Sequence, residues 1–148
     1  MDIILYHPEI PPNAGNVARL CAGFSLPLHL ISPLGFSLSD RYLKRAGLDY
    51  WPYVNVRAWP DWETFRESRG VGRLIGTSAR SGASFAEYEP RANDGLVFGP
   101  ESTGLSPEFL ATLSETYSVP LRAEVRSLNL ATTVGFFLGY VFSRLGPL

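Results

Sequence analysis

The sequence predicts an α/β fold, a mostly parallel sheet with helices on both faces. Short apolar runs recur along the chain, and segments with helical spacing of apolar residues lie between them. Residues 1–31 already follow the order strand, loop, helix, strand, which implies a parallel pair of strands. Loops rich in glycine, asparagine and serine follow several of the predicted strands. Since ligands of parallel sheets bind outside the carboxyl ends of the strands, these loops are the candidate site.

The composition is typical of a compact globular protein. The chain has 148 residues, of which 45% are hydrophobic and 18% charged, with a formal net charge of −1. A chain of this length buries roughly 70% of its unfolded surface on folding, so we expect one domain over residues 1–148. The small net charge excludes a global basic field, and any contact with nucleic acid must come from a local patch. All basic residues except Lys44 are arginine, which suits phosphate contacts, although codon bias explains this equally well.

Cysteine content and hydropathy bear on the compartment. Cys21 is the single cysteine, which excludes an internal disulfide, fits a reducing compartment and is expected in the core. Met1–Tyr6 lacks the basic and apolar regions of a signal peptide. The apolar stretch 128–145 approaches the length of a membrane span, but its threonines, serine and glycines favour a helix buried in the core and against a partner subunit. We therefore expect a cytoplasmic protein without a membrane segment.

Strands and helices are predicted to alternate in the N-terminal half. Ile3–Tyr6 and Leu28–Ile31 are unbroken apolar runs, typical of strands buried on both faces. Between them, apolar residues at helical spacing predict a helix from about Asn13 to Phe24, with Asn13 or Asn16 as its N-cap. Further segments predicted in this half are a polar helix over 38–47, a strand over 53–56 and a helix over 59–67.

The C-terminal half continues the alternation. Strands are predicted over 73–77, 95–98 and 117–119, and the small residues of 78–84 are expected to form a flexible loop. Ser106 and Pro107 predict the start of a helix, with serine at the N-cap and proline at the first helical position. A long apolar helix from Asn129 to Leu145 closes the chain.

Several common kinds of site are missing from the sequence. It contains no dinucleotide or triphosphate-binding glycine motif and no serine-hydrolase elbow. His7, His29 and Cys21 cannot form a standard zinc site, so no metal is expected, and both histidines are expected to be structural.

Three strand ends carry unusual loops, over residues 76–80, 99–104 and 119–130, and we expect these loops to line one pocket. Gly99 and Gly104 allow a close approach of the backbone or a positive φ, and Glu101 is left at the mouth of the sheet. Taken alone, this loop is either a strand-to-helix turn with a solvated glutamate or part of a pocket. Arg19 lies on an apolar helix and needs an anionic partner, either a carboxylate such as Glu101 or an anionic substrate.

Together, residues 13–19, 96–105 and 119–130 resemble the motifs of the SPOUT superfamily of RNA methyltransferases, on the SpoU-type branch that methylates ribose 2′-oxygens. The matching stretches are Asn13-x-Gly-Asn-x-x-Arg19, Leu96-Val-Phe-Gly-Pro-Glu-Ser-x-Gly-Leu105, and Val119-Pro-Leu followed by Arg126-Ser-Leu-Asn-Leu130. The resemblance covers the whole chain, and the three motifs in this order are highly specific. Residues 7–16, 19–22 and 45–51 are further similar to the minimal members that methylate the wobble nucleotide of tRNA.

This resemblance implies an enzyme that methylates the first anticodon ribose of leucine tRNAs. S-adenosylmethionine would be the methyl donor and S-adenosylhomocysteine the product. It also implies a homodimer and a C-terminal trefoil knot. Two alternatives remain open, a related enzyme acting on another tRNA or ribosomal RNA position, and a protein that binds the cofactor or RNA without catalysis.

The resemblance also implies roles for individual residues. Those at catalytic or substrate-binding positions are Asn13, Arg19, Glu101, Ser127 and Asn129. Those expected to bind the cofactor are Gly76, Thr77, Gly99, Pro100, Glu101, Gly104, Val119, Pro120, Leu121, Ser127, Leu128 and Leu130. Those expected to contact RNA are Arg19, Arg41, Lys44, Arg45, Arg80, Arg122 and Arg126, each of which is also explained as a solvated surface charge.

Two points of this implied site are open. The family suggests Arg19 as the general base, but a guanidinium is ordinarily protonated, so an electrostatic clamp on the substrate is an equally economical role. Thr103 stands where the family commonly has arginine, which removes one phosphate contact. Ala131 and Thr132 stand where it commonly has serine and asparagine, which puts a hydrogen bond at the helix start in doubt.

Overall fold

The computed structural model describes residues 1–39, 41, 43, 45, 50–70 and 72–146. The strands are β1 (Asp2–Tyr6), β2 (Leu28–Ile31), β3 (Val56–Trp59), β4 (Leu74–Ser78), β5 (Ala83–Ser84), β6 (Gly95–Phe98) and β7 (Glu115–Ser118). The α-helices are α1 (Pro11–Gly23), α2 (Trp62–Arg69), α3 (Pro107–Leu110) and α4 (Leu130–Leu145), and short 3₁₀ turns lie at Trp51–Tyr53 and Phe85–Glu87. The strands form one sheet in the order β3-β2-β1-β6-β4-β7-β5, and each pair is parallel. The predicted α/β class is confirmed.

Side chains of the central strands alternate between two apolar cores, one on each face of the sheet. Ile3 and Leu5 of β1 belong to the core that α1 and α4 cover. Ile4 belongs to the other, together with Trp62 and Phe65 of α2. Each such side chain contributes about 1.5–3 kcal/mol by leaving water. Helices therefore cover both faces, as predicted.

The packing of α1 against α4 builds most of the larger core. Val17 and Cys21 of α1 lie in the same cluster as Val134 and Leu138 of α4, and all four are fully buried. Burial raises the pKa of the Cys21 thiol to about 12, so this cysteine stays protonated near neutral pH. The expectation that Cys21 is a core residue is confirmed.

The predicted start of α1 was wrong. Asn13 and Asn16 lie inside the helix, whose N-cap is Ile10 and has no side-chain hydrogen bond. Pro11 and Pro12 occupy the first helical positions, where the missing N–H costs nothing because it has no partner within the helix. Asn13 is thereby free to use its side chain elsewhere.

Two further boundaries in the N-terminal half were displaced. The strand expected over 53–56 is β3, Val56–Trp59, because Tyr53 ends a 3₁₀ turn and donates its N–H to the Tyr50 carbonyl at 2.8 Å. The following helix begins only after Asp61, whose carboxylate caps it by accepting from the Thr64 N–H at 2.7 Å. Trp59 consequently belongs to the strand and not to the helix.

The C-terminal half agrees more closely with the sequence. β6 has the predicted bounds, and Ser106 caps α3 by accepting from the Phe109 N–H at 3.1 Å. Asn129 caps α4, as expected. The stretch predicted as a flexible loop contains β5, a two-residue strand that pairs with β7. It was missed because two residues carry no periodic pattern.

Three expectations are only partly addressed. Most of the polar helix predicted over 38–47 lies outside the described residues, although residues 41, 43 and 45 are helical. In the part of the chain that is described, no helix has the length and apolarity to cross a membrane. The C-terminal knot and the single domain over 1–148 stay predictions.

Candidate functional site

A cavity of about 710 Å³ lies at the carboxyl edge of the sheet, beyond β4, β6 and β7. Its volume falls in the range of roughly 300–1,000 Å³ that is usual for small-molecule sites. The walls come mainly from the segments 77–81, 98–105 and 126–130, with Val119, Leu121 and Asn13 of α1 beside them. All three strand-end loops that were expected to line one pocket, 76–80, 99–104 and 119–130, contribute residues to it, and the segment 13–19 contributes Asn13.

The loop 99–104 has its shape because of two glycines. A Cβ on Gly99 would lie 2.5 Å from the Leu105 nitrogen and 2.6 Å from the Gly104 carbonyl carbon. Gly104 has a φ of +67°, which disfavours other residues, and its N–H donates to the Pro100 carbonyl at 2.8 Å. The loop thus folds back on itself, and the close approach at Gly99 is made to the loop's own backbone.

The Glu101 carboxylate accepts hydrogen bonds from three donors in residues 9–13, which join β1 to α1 and begin that helix. One oxygen accepts from the Glu9 N–H at 2.8 Å. The other accepts from the Ile10 N–H at 3.1 Å and from the Asn13 side-chain amide at 3.3 Å. Donors of this kind stabilise the ionised carboxylate, which leaves Glu101 fixed in orientation at the cavity wall.

The Glu9 carboxylate accepts hydrogen bonds in turn from loop 99–104. It accepts from the Ser102 N–H at 2.9 Å and from the Ser102 hydroxyl at 2.6 Å. These hydrogen bonds from Ser102 lower the pKa of Glu9 below its ordinary value. Each glutamate therefore binds the backbone of the loop that carries the other.

Asn13 extends this hydrogen-bond network to loop 119–130. Its side-chain oxygen accepts from the Asn129 amide at 2.9 Å. Asn129 in turn accepts from the Ala131 and Thr132 N–H groups at 2.9 and 3.2 Å, which starts α4. The N–H of Thr132 is therefore satisfied by the Asn129 cap. A continuous path of hydrogen bonds runs from Glu101 through Asn13 and Asn129 to α4.

Ser127 completes the rim of the cavity in a different way. It lies in the exposed run 122–127 and lines the cavity. Its hydroxyl has no hydrogen-bond partner among the described residues. An exposed hydroxyl of this kind is available to a ligand, whereas the side chains of Glu101, Asn13 and Asn129 are hydrogen-bonded to one another or to backbone N–H groups.

Arg19 lies away from this network. It is exposed and does not line the cavity, and its guanidinium carbon lies 4.9 Å from the centre of the Tyr50 ring. None of the three ion pairs found within the described residues includes Arg19. The alternative that Arg19 pairs with Glu101 was wrong, because α1 presents Arg19 to solvent and backbone donors occupy the Glu101 carboxylate.

The cavity brings together most of the residues expected to bind a cofactor. Those that line it are Thr77, Gly99, Pro100, Glu101, Gly104, Val119, Leu121, Ser127, Leu128 and Leu130. Gly76 and Pro120 do not line it. Gly76 is buried, and a Cβ there would lie 2.8 Å from the Leu110 side chain and 2.9 Å from that of Leu113. Its lack of a side chain makes room for the segment around α3, which forms part of the cavity wall.

The arginines expected to contact RNA are distributed over the surface. Arg80 and Arg126 line the cavity, while Arg41, Arg45 and Arg122 are exposed away from its lining. Lys44 lies outside the described residues. The sequence assigned no role to Glu9 or Ser102, although both lie inside the stretches that carry the resemblance, 7–16 and 96–105. Over the described residues, no group of three or more histidine, cysteine or acidic side chains is arranged to hold a metal.

The fold and the cavity define a parallel α/β protein whose ligand site is built from loops at one edge of the sheet. Residues 1–139 match the model of the family described as "SpoU rRNA Methylase family". The tRNA (cytidine(34)-2'-O)-methyltransferase of Aeromonas hydrophila is 41% identical, over 99% of this chain and 95% of that protein. The enzyme of the same name from Burkholderia cenocepacia is 42% identical, over 98% and 96%.

Solved structures give the same relationship. One described as "Structural insights into the 2-OH methylation of C/U34 on tRNA" has a TM-score of 0.92 and 50% identity, covering 97% of this chain and 95% of that one. The SpoU methyltransferase AviRb from Streptomyces viridochromogenes, in complex with AdoMet, has a TM-score of 0.84 at 19% identity, covering 97% and 60%. This chain belongs to the SpoU rRNA methylase family, and the predicted class of 2′-O-methylating RNA enzymes is confirmed.

Proposed function

We propose that this protein methylates the 2′-oxygen of the ribose at position 34 of tRNA, with S-adenosylmethionine as the donor. The observation that carries the proposal is the hydrogen-bonded path from Glu101 through Asn13 to Asn129. It joins the three family motifs around one cavity. The names of full-length relatives at about 40% identity support the substrate position.

The cavity fits the proposed donor. Its size suits one nucleoside-sized molecule, and Leu121, Leu128 and Leu130 offer apolar surface for an adenine ring. The backbone of 99–104 and the Ser127 hydroxyl offer polar contacts beside that surface. When bound, S-adenosylmethionine supplies an already activated methyl group.

The remaining requirement is to position the ribose. An aligned 2′-oxygen gains most of its advantage from orientation, and the fixed side chains of Asn13, Glu101 and Asn129 provide a rigid frame for it. Three N–H donors occupy the Glu101 carboxylate and fix its orientation. Arg19, on the exposed side of α1, would contact the RNA and not the donor.

The RNA surface would be local. Arg80 and Arg126 at the cavity and the exposed Arg122 nearby in sequence supply cations where the nucleotide must enter. Arg41 and Arg45 would add to these RNA contacts, as would Lys44, which lies outside the described residues. Since the net charge is only −1, such contacts make tRNA affinity fall steeply with salt. Leucine tRNAs, in the cytoplasm, are the proposed substrates.

A homodimer would form through the outer faces of α1 and α4. Phe24 and Phe136 are 41% and 44% exposed, although Phe24 already stacks on Phe142 at 4.4 Å. Gly139 of α4 is exposed, with open space around its Cα. An apolar face of this kind on a helix that also fills the core is typical of a subunit contact.

Nucleoside mass spectrometry of tRNA from a gene-deletion strain tests the proposal. We expect leucine tRNAs to lose the 2′-O-methyl group at position 34 and to regain it with the wild-type gene. Restoration of a methyl group at another position, in tRNA or in ribosomal RNA, would favour the related enzyme. Binding of S-adenosylmethionine in calorimetry without any change in RNA would favour the non-catalytic alternative.

A further inference from the structure

We infer that Glu9 is a positioning residue for methyl transfer, acting through Ser102 on the loop that carries Glu101. The inference rests on the proposed function, because it concerns the same site. The Glu9 carboxylate binds Ser102 and makes no hydrogen bond to Asn13, Ser127 or Asn129, and Glu9 is not among the residues lining the cavity.

Glu9 exchanges hydrogen bonds with loop 99–104 in both directions. The Glu9 carboxylate takes the N–H and the hydroxyl of Ser102 at 2.9 and 2.6 Å, while Glu101, the preceding residue, takes the Glu9 N–H at 2.8 Å. Hydrogen bonds to an ionised carboxylate are roughly twice as strong as neutral ones. The two loops are thereby joined in both directions, and only one direction depends on the Glu9 side chain.

The backbone that carries Glu9 is itself held in place. Pro8 accepts a hydrogen bond from the Gly35 N–H at 2.9 Å, and a Cβ on Gly35 would lie 2.6 Å from the Glu9 carbonyl oxygen. The Glu9 backbone is therefore packed against the loop that contains Gly35. Since β1 and β6 are neighbours with Leu5 paired to Phe98, the two loops leave adjacent strands and are held without a long side-chain reach.

The expected consequence concerns the loop and not the core. In Glu9→Ala the Glu9 N–H still binds Glu101, but Ser102 loses its acceptor, so loop 99–104 gains freedom where it lines the cavity. We expect kcat to fall roughly ten- to a hundredfold, the scale of losing a charge-assisted hydrogen bond, with KM for tRNA changed little. In Glu9→Gln the side-chain oxygen still accepts from the Ser102 N–H, so most of kcat should return.

The test uses the full chain with Glu9→Ala, Glu9→Gln, Ser102→Ala and the Glu9→Ala/Ser102→Ala double variant. Glu67→Ala, at an exposed position of α2, is the matched control. Because the Ser102 hydroxyl acts through Glu9, the double variant should lose no more kcat than Glu9→Ala alone. Effects that multiply, no recovery in Glu9→Gln, or kcat of Glu9→Ala equal to that of Glu67→Ala would overturn the inference.

Amide hydrogen exchange separates this inference from the proposed function. Glu9→Ala should raise exchange at Ser102 while exchange in β1 and β6 stays as in the wild type. If the wild type methylates no position 34 but Ser102 exchange still rises, the proposed function fails and the anchoring of the loop stands. Unchanged exchange at Ser102 in Glu9→Ala would contradict the anchoring itself.

Discussion

Glu101, Asn13 and Asn129 share one property, which is that their side-chain polar atoms are bound to one another or to backbone. Each group therefore costs little entropy to hold in place when a substrate arrives. Ser127 and Arg19 are the opposite case, since both are exposed and neither has a hydrogen-bond partner in the described part of the chain. The site combines a rigid frame with two groups that are available to ligands.

Replacing Arg19 should separate donor binding from methyl transfer. Because Arg19 does not line the cavity, Arg19→Ala should leave the affinity for S-adenosylmethionine within about twofold in calorimetry. Its kcat should fall by roughly a hundredfold or more, since a charged contact to the substrate is lost. Arg57→Ala, on the exposed edge strand β3, is the matched control. Equal loss of donor affinity and kcat in Arg19→Ala would contradict this placement.

Gly99→Ala should damage the cavity more than any change at Gly104. At Gly99 a Cβ meets backbone atoms at 2.5 and 2.6 Å, so the loop must move. At Gly104 the space is open and only the positive φ is unfavourable, at a cost of about 1 kcal/mol. Calorimetry should show loss of S-adenosylmethionine binding in Gly99→Ala and weaker binding in Gly104→Ala. Gly23→Ala, in open space at the end of α1, should bind like the wild type.

Motif residues could be predicted from the sequence because their types are unusual for their positions, as with Gly99, Glu101 and Asn129. Glu9 could not, because a glutamate in a polar loop is indistinguishable from a solvated one until its partner is located. The alternative that Arg19 pairs with Glu101 was wrong for a related reason. Its helix position borders apolar residues in the sequence, but only the packing of α1 determines that it faces solvent.

At the scale of elements, central strands were predicted and edge elements were not. β2 and β6 are fully buried, and their apolar runs match their bounds. β3 is an edge strand with exposed central residues, Arg57 and Ala58, so its pattern is weak and the neighbouring Tyr53–Val56 looked more like a strand. Element boundaries depend on caps such as Asp61, which local composition indicates only partly.

His29 couples β2 to β3 and should make stability depend on pH. Its Nδ1 accepts a hydrogen bond from the Trp59 indole N–H at 2.9 Å, which requires the neutral ring. Burial lowers the pKa of His29 below its ordinary value of 6.5. The stabilisation is therefore complete above pH 6.5 and is lost as pH falls through the lower folded-state pKa.

Urea unfolding between about pH 7.5 and pH 5 measures this effect. The free energy of unfolding of the wild type should decrease over that range. His29→Gln can accept from Trp59 without titrating, so its decrease should be smaller. It should not vanish, because burial also lowers the pKa of His7 and contributes with the same sign. An equal decrease in wild type and variant would exclude His29 as a source.

The whole molecule separates stability and function to opposite edges of one sheet. At the amino edge, Arg73 binds Asp94 and Glu115, each at 2.8 Å, and so ties together the starts of β4, β6 and β7. Arg69 binds Asp2 at the start of β1 in the same way. The carboxyl edge has the loops of the cavity instead. Mutations at the amino edge should therefore lower stability, and those at the carboxyl edge activity.

The class of fold and the family could be predicted from the sequence, because the alternation of strands and helices and the order of the motifs are encoded along the chain. The knot and the homodimer stay predictions, since both depend on how distant surfaces meet.

Methyl transfer to defined transcripts tests the central claim most directly. Purified protein and labelled S-adenosylmethionine are incubated with a leucine tRNA transcript and with a matched one that has 2′-deoxyribose at position 34. We expect label on the ribose of nucleotide 34 in the first transcript, located by nuclease digestion and mass spectrometry, and none in the second. Label at another nucleotide, or label that persists on the 2′-deoxy transcript, would contradict it.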